Sequence, residues 1–254
     1  MSRDLGLSVE ARGTLSVHRV ESVRGFGVDA FVTDRFGGVS AGDYATLNLG
    51  DHVGDVPDAV RENRRRVAEA LDLSPDRLVT VRQVHGSAVL DATSVTASSA
   101  ADAIVTDEGD LALAILVADC LPMLLVDASS PRFALVHAGW RGLASGVIAR
   151  ALERFRDPRT VHAFIGPSIS LEGYQVGPEV AAHFAHVANA LVADGGDRSR
   201  LDLRHVAARQ LLDAGVSDDQ VTRSSEVTDG GEVFFSDRAR RPCGRFALVA
   251  RRAS

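Results

Sequence analysis

Lysine is absent from this chain of 254 residues, in which all 28 basic residues are arginine. This absence excludes Schiff-base catalysis, which uses a lysine amine, and the phosphate-binding lysine of P-loop proteins. Cysteine is almost as scarce. The two cysteines cannot form a disulfide framework, and they indicate a reducing compartment, which we expect to be the cytoplasm.

Long apolar stretches are missing as well. No run approaches the ~18 uninterrupted apolar residues of a membrane span, and the charged first 12 residues do not resemble a signal peptide. The net charge of −6 argues against nucleic-acid binding through bulk positive charge. We therefore expect neither a membrane nor a nucleic-acid partner.

The order of the apolar runs favours one α+β domain over residues 1–254, with residues 1–12 as a loose N-terminal tail. Strand-like runs at 111–117, 123–127 and 133–137 follow one another without room for helices between them. Because a doubly wound sheet needs a crossover helix of a dozen or so residues, a Rossmann fold is excluded. We expect mixed sheets instead.

Periodicity and flanking residues predict the remaining elements. We expect helices at 57–71, 142–156, 178–192 and 202–214, and further strands at 14–20, 25–32, 78–85, 103–106, 161–165 and 246–251. The glycine-rich stretch 33–55 is predicted to be a long loop, and loops of that length in compact domains are usually functional.

Three short segments place a histidine or a cysteine at the end of an apolar run, just before a turn. They are 83–86 (QVHG), 118–122 (ADCLP) and 136–142 (VHAGWRG). If the three turns converge, His85, Cys120 and His137 supply two nitrogen donors and one sulfur donor. Three such ligands with an open fourth position are typical of catalytic zinc.

Spacing alone leaves other interpretations open. Cys120 could be a structural cysteine beside two hydrogen-bonded histidines, or a nucleophile with His137 or His85 as its base. The same residues could bind copper, with Met123 nearby. A multicopper cluster is excluded, because such clusters need more histidines, largely in H-x-H pairs, than the eight present here, which form no such pair.

The three segments, in this order, resemble the YfiH-like family, also called laccase-domain or polyphenol-oxidase-type proteins. The resemblance covers about residues 25–249. It extends to 31–40 (FVTDRFGGVS), 47–66 (LNLGDHVGDVPDAVRENRRR), 165–167 (IGP), 174–177 (YQVG), 234–238 (FFSDR) and 244–245 (GR).

The resemblance implies a zinc-dependent purine nucleoside phosphorylase acting on adenosine, inosine and methylthioadenosine, with adenosine deamination as a second activity. It implies that His85, Cys120 and His137 bind the zinc, with copper binding at the same ligands in vitro. It also implies a four-layer α/β/β/α sandwich and a relation to the human protein FAMIN.

The resemblance keeps two other functions open. Some bacterial members are described as peptidoglycan editing factors, so one alternative is a cysteine hydrolase that uses Cys120 as nucleophile. The other is a copper-dependent phenol oxidase. The expected partners are purine nucleosides and phosphate, and the chain is expected to be a monomer or a homodimer.

Phosphate is usually bound by arginine side chains and backbone N–H groups. The candidate substrate-binding residues are Arg35, Asn48, Arg141, Arg238 and Arg245, among which Arg141 is preferred because it follows His137 by one turn. Asp119 is the candidate catalytic proton carrier, beside the three ligand residues, and Asp102 is a second possibility. Either carboxylate could instead cap a strand end or orient a histidine.

Overall fold

The computed structural model describes residues 7–253. The strands are β1 (Ser8–Arg12), β2 (Leu15–Arg19), β3 (Val28–Thr33), β4 (Leu78–Val79), β5 (Val89–Asp91), β6 (Ala103–Thr106), β7 (Ala112–Val117), β8 (Leu121–Asp127), β9 (Phe133–Ala138), β10 (Val161–Ile165), β11 (Gln175–Val176), β12 (Leu191–Ala193), β13 (Ser199–Leu201), β14 (Val221–Arg223) and β15 (Phe246–Arg252). The α-helices are α1 (Pro57–Glu69), α2 (Trp140–Ala144), α3 (Val147–Leu152), α4 (Pro178–Ala181) and α5 (Leu203–Asp213). None of the helices within residues 7–253 could span a membrane.

Two six-stranded sheets contain most of the strands. The first sheet has the order β1-β2-β3-β15-β7-β4, and the second has the order β14-β10-β8-β9-β6-β5. Parallel pairing is confined to the β4, β5 and β14 edges, and the other pairs are antiparallel. The mixed sheets confirm the α+β class and exclude a Rossmann fold.

Three clusters of buried side chains show how the sheets stack. Ile115 of β7 and Leu135 of β9 belong to the cluster between the two sheets. On the outer face of the first sheet, Val67 of α1 belongs to the same cluster as Ala114 of β7. On the outer face of the second sheet, Ile148 of α3 packs in the third cluster. The order of layers is therefore helix, sheet, sheet, helices.

This stacking explains why the central strands consist of continuous apolar runs. All seven residues of β8 and all six of β9 are buried, because each strand is covered on both faces. An antiparallel sheet with one solvated face would alternate apolar and polar residues instead. The short loop between β8 and β9 makes them antiparallel neighbours, which fixes where their ends lie.

Two predicted helices are wrong in extent. The helix expected at 178–192 ends at Ala181, and Leu191–Ala193 is a strand. The helix expected at 142–156 begins at Trp140 and is interrupted at Gly146, whose φ of 77° is incompatible with a continuous α-helix. Periodicity missed both, because apolar spacing continues across the interruptions.

Two further expectations differ from the structure. The strand expected at 78–85 is limited to Leu78–Val79, so His85 lies in an irregular loop. Residues 8–12, expected to belong to a loose tail, form β1, which pairs with β2 along its full length. The preceding part of that tail, residues 1–6, lies outside the described residues.

Candidate metal centre

His85, Cys120 and His137 converge at one end of the second sheet. One potential ligand atom from each residue lies within 4.8 Å of those from the other two. Among residues 7–253, this is the one group of three or more histidine, cysteine or carboxylate side chains so arranged. The three side chains that the sequence segments singled out therefore lie together, as a shared metal site requires.

Strand pairing accounts for the proximity of two of these side chains. In the β8–β9 pair, Leu121 lies opposite Ala138 and Pro122 lies opposite His137. Cys120 directly precedes β8, and His137 is the penultimate residue of β9, so both lie at the same end of the sheet. The antiparallel register therefore brings the thiol next to the imidazole.

The buried carboxylate of Asp102 positions both histidines. It is 0% exposed, and it accepts hydrogen bonds from His137 Nδ1 at 2.8 Å and from the backbone N–H groups of His85 at 2.9 Å and Gly86 at 2.7 Å. Burial raises the pKa of this carboxyl, but the hydrogen bonds from His137 and Gly86 outweigh burial, and the pKa is lowered. An ionised carboxylate only accepts, so Nδ1 carries the proton and Nε2 of His137 is left for a metal.

His85 reaches the centre from a strained loop. Its φ of 60° lies in the left-handed region, which residues other than glycine seldom adopt. The hydrogen bonds from His85 and Gly86 to Asp102 hold the loop in this conformation. The rings of His85 and His137 meet edge to face, with centroids 4.8 Å apart.

The surroundings of Cys120 favour the thiolate form of its side chain. Burial raises the pKa of its thiol, but the charge of His137 and hydrogen bonds from both histidines outweigh burial and lower the pKa to about 6. Burial lowers the pKa of His137, whereas the Cys120 thiolate and the Asp102 carboxylate raise it to a greater extent. At pH 7 the two side chains therefore form a thiolate–imidazolium pair, and a metal ion would displace the imidazolium proton.

The donors and the space around them fit a metal ion. Imidazole nitrogen and thiolate sulfur are both zinc ligands, and a tetrahedral site with three protein ligands leaves the fourth position for water or substrate. Gly139 provides the space. A Cβ atom at that position would lie 2.8 Å from Cys120 Sγ and 3.2 Å from His85 Cδ2, so any side chain there would displace two ligands.

The centre opens into a cleft of about 960 Å³, at the upper end of the range for small-molecule sites. Positive charge is concentrated there, although the chain carries a net charge of −6. The charged side chains that line the cleft, besides the ligands and His52, are Arg64, Arg82, Arg141, Arg238, Arg241, Arg245, Asp51, Asp119 and Asp237. The cleft therefore suits an anion.

Three of the predicted substrate-binding arginines line this cleft. The guanidinium of Arg141 stacks over the Trp140 ring at 4.3 Å and has no hydrogen-bond or ion-pair partner within residues 7–253. Arg238 stacks over the Tyr174 ring at 5.3 Å and donates one hydrogen bond to a backbone carbonyl. The guanidinium of Arg245 already has several protein partners. It donates to the carbonyls of Cys243 and Gly244 and lies 3.4 Å from an Asp237 oxygen.

The structure does not bring Arg35 and Asn48 to the cleft. Arg35 donates to the carbonyl oxygens of Ala45 and Gly231, and the buried Asn48 side chain accepts the backbone N–H of Arg245 at 2.8 Å. Both side chains therefore bind backbone groups of loop residues and stabilise those loops. Direct substrate contact by these two residues stays a prediction that their surroundings do not support.

Several cleft residues were not identified from the sequence. They include Arg64, Arg82 and Arg241. Arg82 lies one residue before the 83–86 segment. Its proximity in sequence to His85 was the one feature that could have indicated a place in the cleft. Cys243, the second cysteine of the chain, is 4% exposed, and burial raises its pKa.

Comparison with known proteins shows similarity over nearly the whole chain. The family described as "Multi-copper polyphenol oxidoreductase laccase" matches residues 29–253. The Escherichia coli protein named "Purine nucleoside phosphorylase YfiH" is 39% identical over 227 residues, covering 87% of this chain and 92% of the relative. The Streptomyces coelicolor protein named "Purine nucleoside phosphorylase SCO2081" is 41% identical over 223 residues, covering 85% of this chain and 91% of the relative.

Solved structures share the fold. YlmD from Geobacillus stearothermophilus has a TM-score of 0.89 and 32% identity, covering 98% of this chain and 99% of its own. The Neisseria meningitidis protein NMB0706 has a TM-score of 0.84 and 35% identity, covering 90% of this chain and 95% of its own. The resemblance predicted from the sequence motifs is confirmed, and the relation to FAMIN stays a prediction.

Replacing Gly139 by alanine is expected to weaken metal binding while all three ligands remain. The added methyl group would lie 2.8 Å from Cys120 Sγ, so the sulfur must move. We expect a loss of metal affinity of about 10–100-fold, as for other changes around metal ligands, measured by competition with a chelator. Gly109→Ala is the matched control, because a Cβ there meets nothing within 4 Å. Equal affinities for the two variants would contradict the packing argument.

Replacing Asp102 by asparagine is expected to raise the pKa of Cys120. A neutral amide no longer stabilises the His137 imidazolium, so the thiolate loses part of its partner's charge. In chelator-treated protein, the rate of iodoacetamide alkylation should rise through about pH 6 in the parent and at higher pH in the variant. Mass spectrometry of the Cys120 peptide measures both rates. A parent midpoint at the ordinary thiol value of about 8.5 would argue against the ion pair.

Proposed function

Because this chain belongs to the multi-copper polyphenol oxidoreductase laccase family and is similar to proteins named purine nucleoside phosphorylase, we propose that it is a zinc-dependent purine nucleoside phosphorylase. In this reaction a phosphate oxygen bonds to C1′ as the N9–C1′ bond breaks. The departing purine keeps the bonding pair and takes up a proton, and the sugar leaves as ribose 1-phosphate, or as 5-methylthioribose 1-phosphate from methylthioadenosine. The observation that carries the proposal is one cleft containing a His-Cys-His donor set beside stacked arginines.

The proposed substrates are adenosine, inosine and methylthioadenosine, which the family resemblance implies. The cleft of about 960 Å³ is large enough for a nucleoside and phosphate together. Trp140 and Tyr174 also line it, and aromatic side chains are suited to contact with a purine. A cytoplasmic location and a monomeric or homodimeric state belong to the same proposal.

His85, Cys120 and His137 would hold the zinc ion. Zinc bound there would supply a Lewis acid at the edge of the cleft. The second histidine supports the metal assignment, because both imidazoles are directed at the same sulfur. A thiol nucleophile needs one base and gains nothing from a second.

Arg141 and Arg238 are the proposed phosphate ligands. A guanidinium group offers paired N–H donors that match two phosphate oxygens. The donors of Arg141 have no polar protein partner within the described chain, and Arg238 uses one nitrogen for a backbone carbonyl. Fixed positive charge in the cleft would also stabilise the negative charge that develops on the departing purine.

Adenosine deamination is proposed as a second activity of the same cleft, on the family resemblance alone. Nucleobase deaminases of the zinc class carry an H-x-E…P-C-x-x-C signature, which this sequence lacks. Deamination would therefore need a different proton carrier. Formation of inosine from adenosine in the absence of phosphate separates this activity from phosphorolysis.

One observation favours the hydrolase alternative. Cys120, His137 and Asp102 form a chain of thiolate, imidazolium and carboxylate, which is the order of a nucleophile, its base and an orienting acid. The peptidoglycan-precursor reaction would use this chain without a metal. Copper-dependent oxidation of phenols, the other alternative, would require copper at the same donors.

The proposal is tested by metal analysis and a nucleoside panel on the purified protein. We expect one zinc per chain, and release of purine from the three nucleosides only when phosphate is present. Cys120→Ser should lose zinc and activity together, because a hydroxyl is a poor zinc ligand at neutral pH. Cys243→Ser is the control variant, since that thiol is buried away from the donor set.

Other outcomes identify the alternatives. Rapid alkylation of Cys120 in zinc-loaded protein, together with a trapped substrate adduct, would establish the nucleophile and overturn the metal role. Copper in place of zinc, with oxygen-dependent oxidation of phenols, would establish the oxidase. Purine release at the same rate without phosphate would contradict the phosphorylase.

A further inference from the structure

Asp119, the residue before Cys120, has a carboxylate that accepts nearly all the hydrogen bonds it can. It is 9% exposed. Oδ1 accepts hydrogen bonds from the hydroxyl groups of Thr228 at 2.6 Å and Ser236 at 2.7 Å, and Oδ2 accepts one from the backbone N–H of Arg238 at 2.6 Å. These bonds occupy three of the roughly four acceptor positions of a carboxylate.

All three donors belong to one stretch of chain, residues 228–238, which we name the anchored segment. The Ser236 hydroxyl also accepts the N–H of Ala239 at 3.2 Å, so the backbone on both sides of Arg238 is fixed. From this position the Arg238 guanidinium reaches the cleft and stacks over Tyr174. Through its bond to the backbone N–H of Arg238, Asp119 holds the residue whose guanidinium lines the cleft.

Arg35 holds the same segment from its other side. Its guanidinium donates to Gly231 O at 2.5 Å and lies over the Phe235 ring at 4.8 Å. Its backbone N–H donates to Val233 O at 3.0 Å. The anchored segment is thus fixed between the carboxylate of Asp119, which precedes Cys120, and the guanidinium of Arg35.

The backbone of Asp119 is also tied down. Its φ is 84°, in the left-handed region, and its carbonyl oxygen accepts the N–H of Ile169 at 3.0 Å. A side chain constrained at both ends and hydrogen-bonded to three donors is poorly suited to shuttle a proton to substrate. The same constraints suit a residue that fixes geometry.

We infer that Asp119 is a positioning residue, whose carboxylate fixes the anchored segment so that Arg238 can bind the phosphate anion beside the metal centre. This inference rests on the proposed phosphorylase function. It replaces the proton-carrier role that the sequence suggested for Asp119.

Asp119→Asn tests the inference in the zinc-loaded enzyme. Asparagine keeps the shape, but its NH₂ group cannot accept a hydrogen bond, so at least one of the three donors loses its partner. We expect KM for phosphate to rise roughly 10-fold, the loss typical of one hydrogen bond to a charged group, with KM for the nucleoside, zinc content and the pH profile of kcat unchanged. A proton carrier would behave differently: kcat would fall about 10²–10⁴-fold and one limb of its pH profile would disappear.

Thr228→Val provides the matched variant, because it removes a donor from the anchored segment and leaves the Asp119 carboxylate intact. The positioning role predicts a rise in KM for phosphate in the same direction. A proton-carrier role predicts no change. In an Arg238→Ala background, Asp119→Asn should add little further loss, because both changes act through the same guanidinium.

Hydrogen exchange separates failure of this inference from failure of the proposed function. Peptides covering 228–241 should exchange faster in Asp119→Asn and Thr228→Val than in the parent, whether or not the protein phosphorolyses nucleosides. Unchanged exchange there in both variants would overturn the inference. Faster exchange in an enzyme without phosphorolysis would sustain the anchoring and reject the phosphate role of Arg238 together with the proposed function.

Discussion

The centre depends on one buried charge, the carboxylate of Asp102. A carboxylate without partners is costly to bury, and the donors that satisfy this one come from two separate parts of the chain. One is the ring of His137 at the end of β9, and the others are the backbone N–H groups of His85 and Gly86. Satisfying the charge therefore brings the two candidate histidine ligands together and sets the tautomer of His137. The low pKa of Cys120 follows, because Asp102 supports the His137 imidazolium that stabilises the thiolate.

The positions of Cys120 and His137 could be predicted from the sequence because local features determine them. Two apolar runs separated by a short loop make antiparallel neighbours, and the thiol and imidazole stand where these strands begin and end. The position of His85 could be predicted only in part. Its predicted strand is reduced to Leu78–Val79, and its loop is held by a carboxylate 17 residues away, a contact that spacing does not reveal. The four-layer order followed from the family resemblance and agrees with the buried clusters.

The roles of Arg35 and Asp119 could not be predicted, for a related reason. An arginine beside glycines has the same sequence signature whether it binds phosphate or backbone carbonyls, and the Gly231 carbonyl that Arg35 binds lies 196 residues away. The donors to the Asp119 carboxylate are 109–119 residues away. Both residues act on the segment that carries Arg238, so their influence on the cleft is indirect. A motif marks such residues as important, but the long-range contacts decide whether they touch substrate.

The proposed function depends on a zinc site formed by His85, Cys120 and His137. X-ray absorption of the purified protein at the zinc edge tests it most directly, because it reports the number, type and distance of the ligands. We expect one sulfur at about 2.3 Å and two imidazole nitrogens at about 2.0–2.1 Å, with a further light atom completing the shell. Loss of the sulfur contribution in Cys120→Ser would assign it. A zinc shell without sulfur, or an absorption edge from copper in stoichiometric amount, would contradict the proposed zinc site.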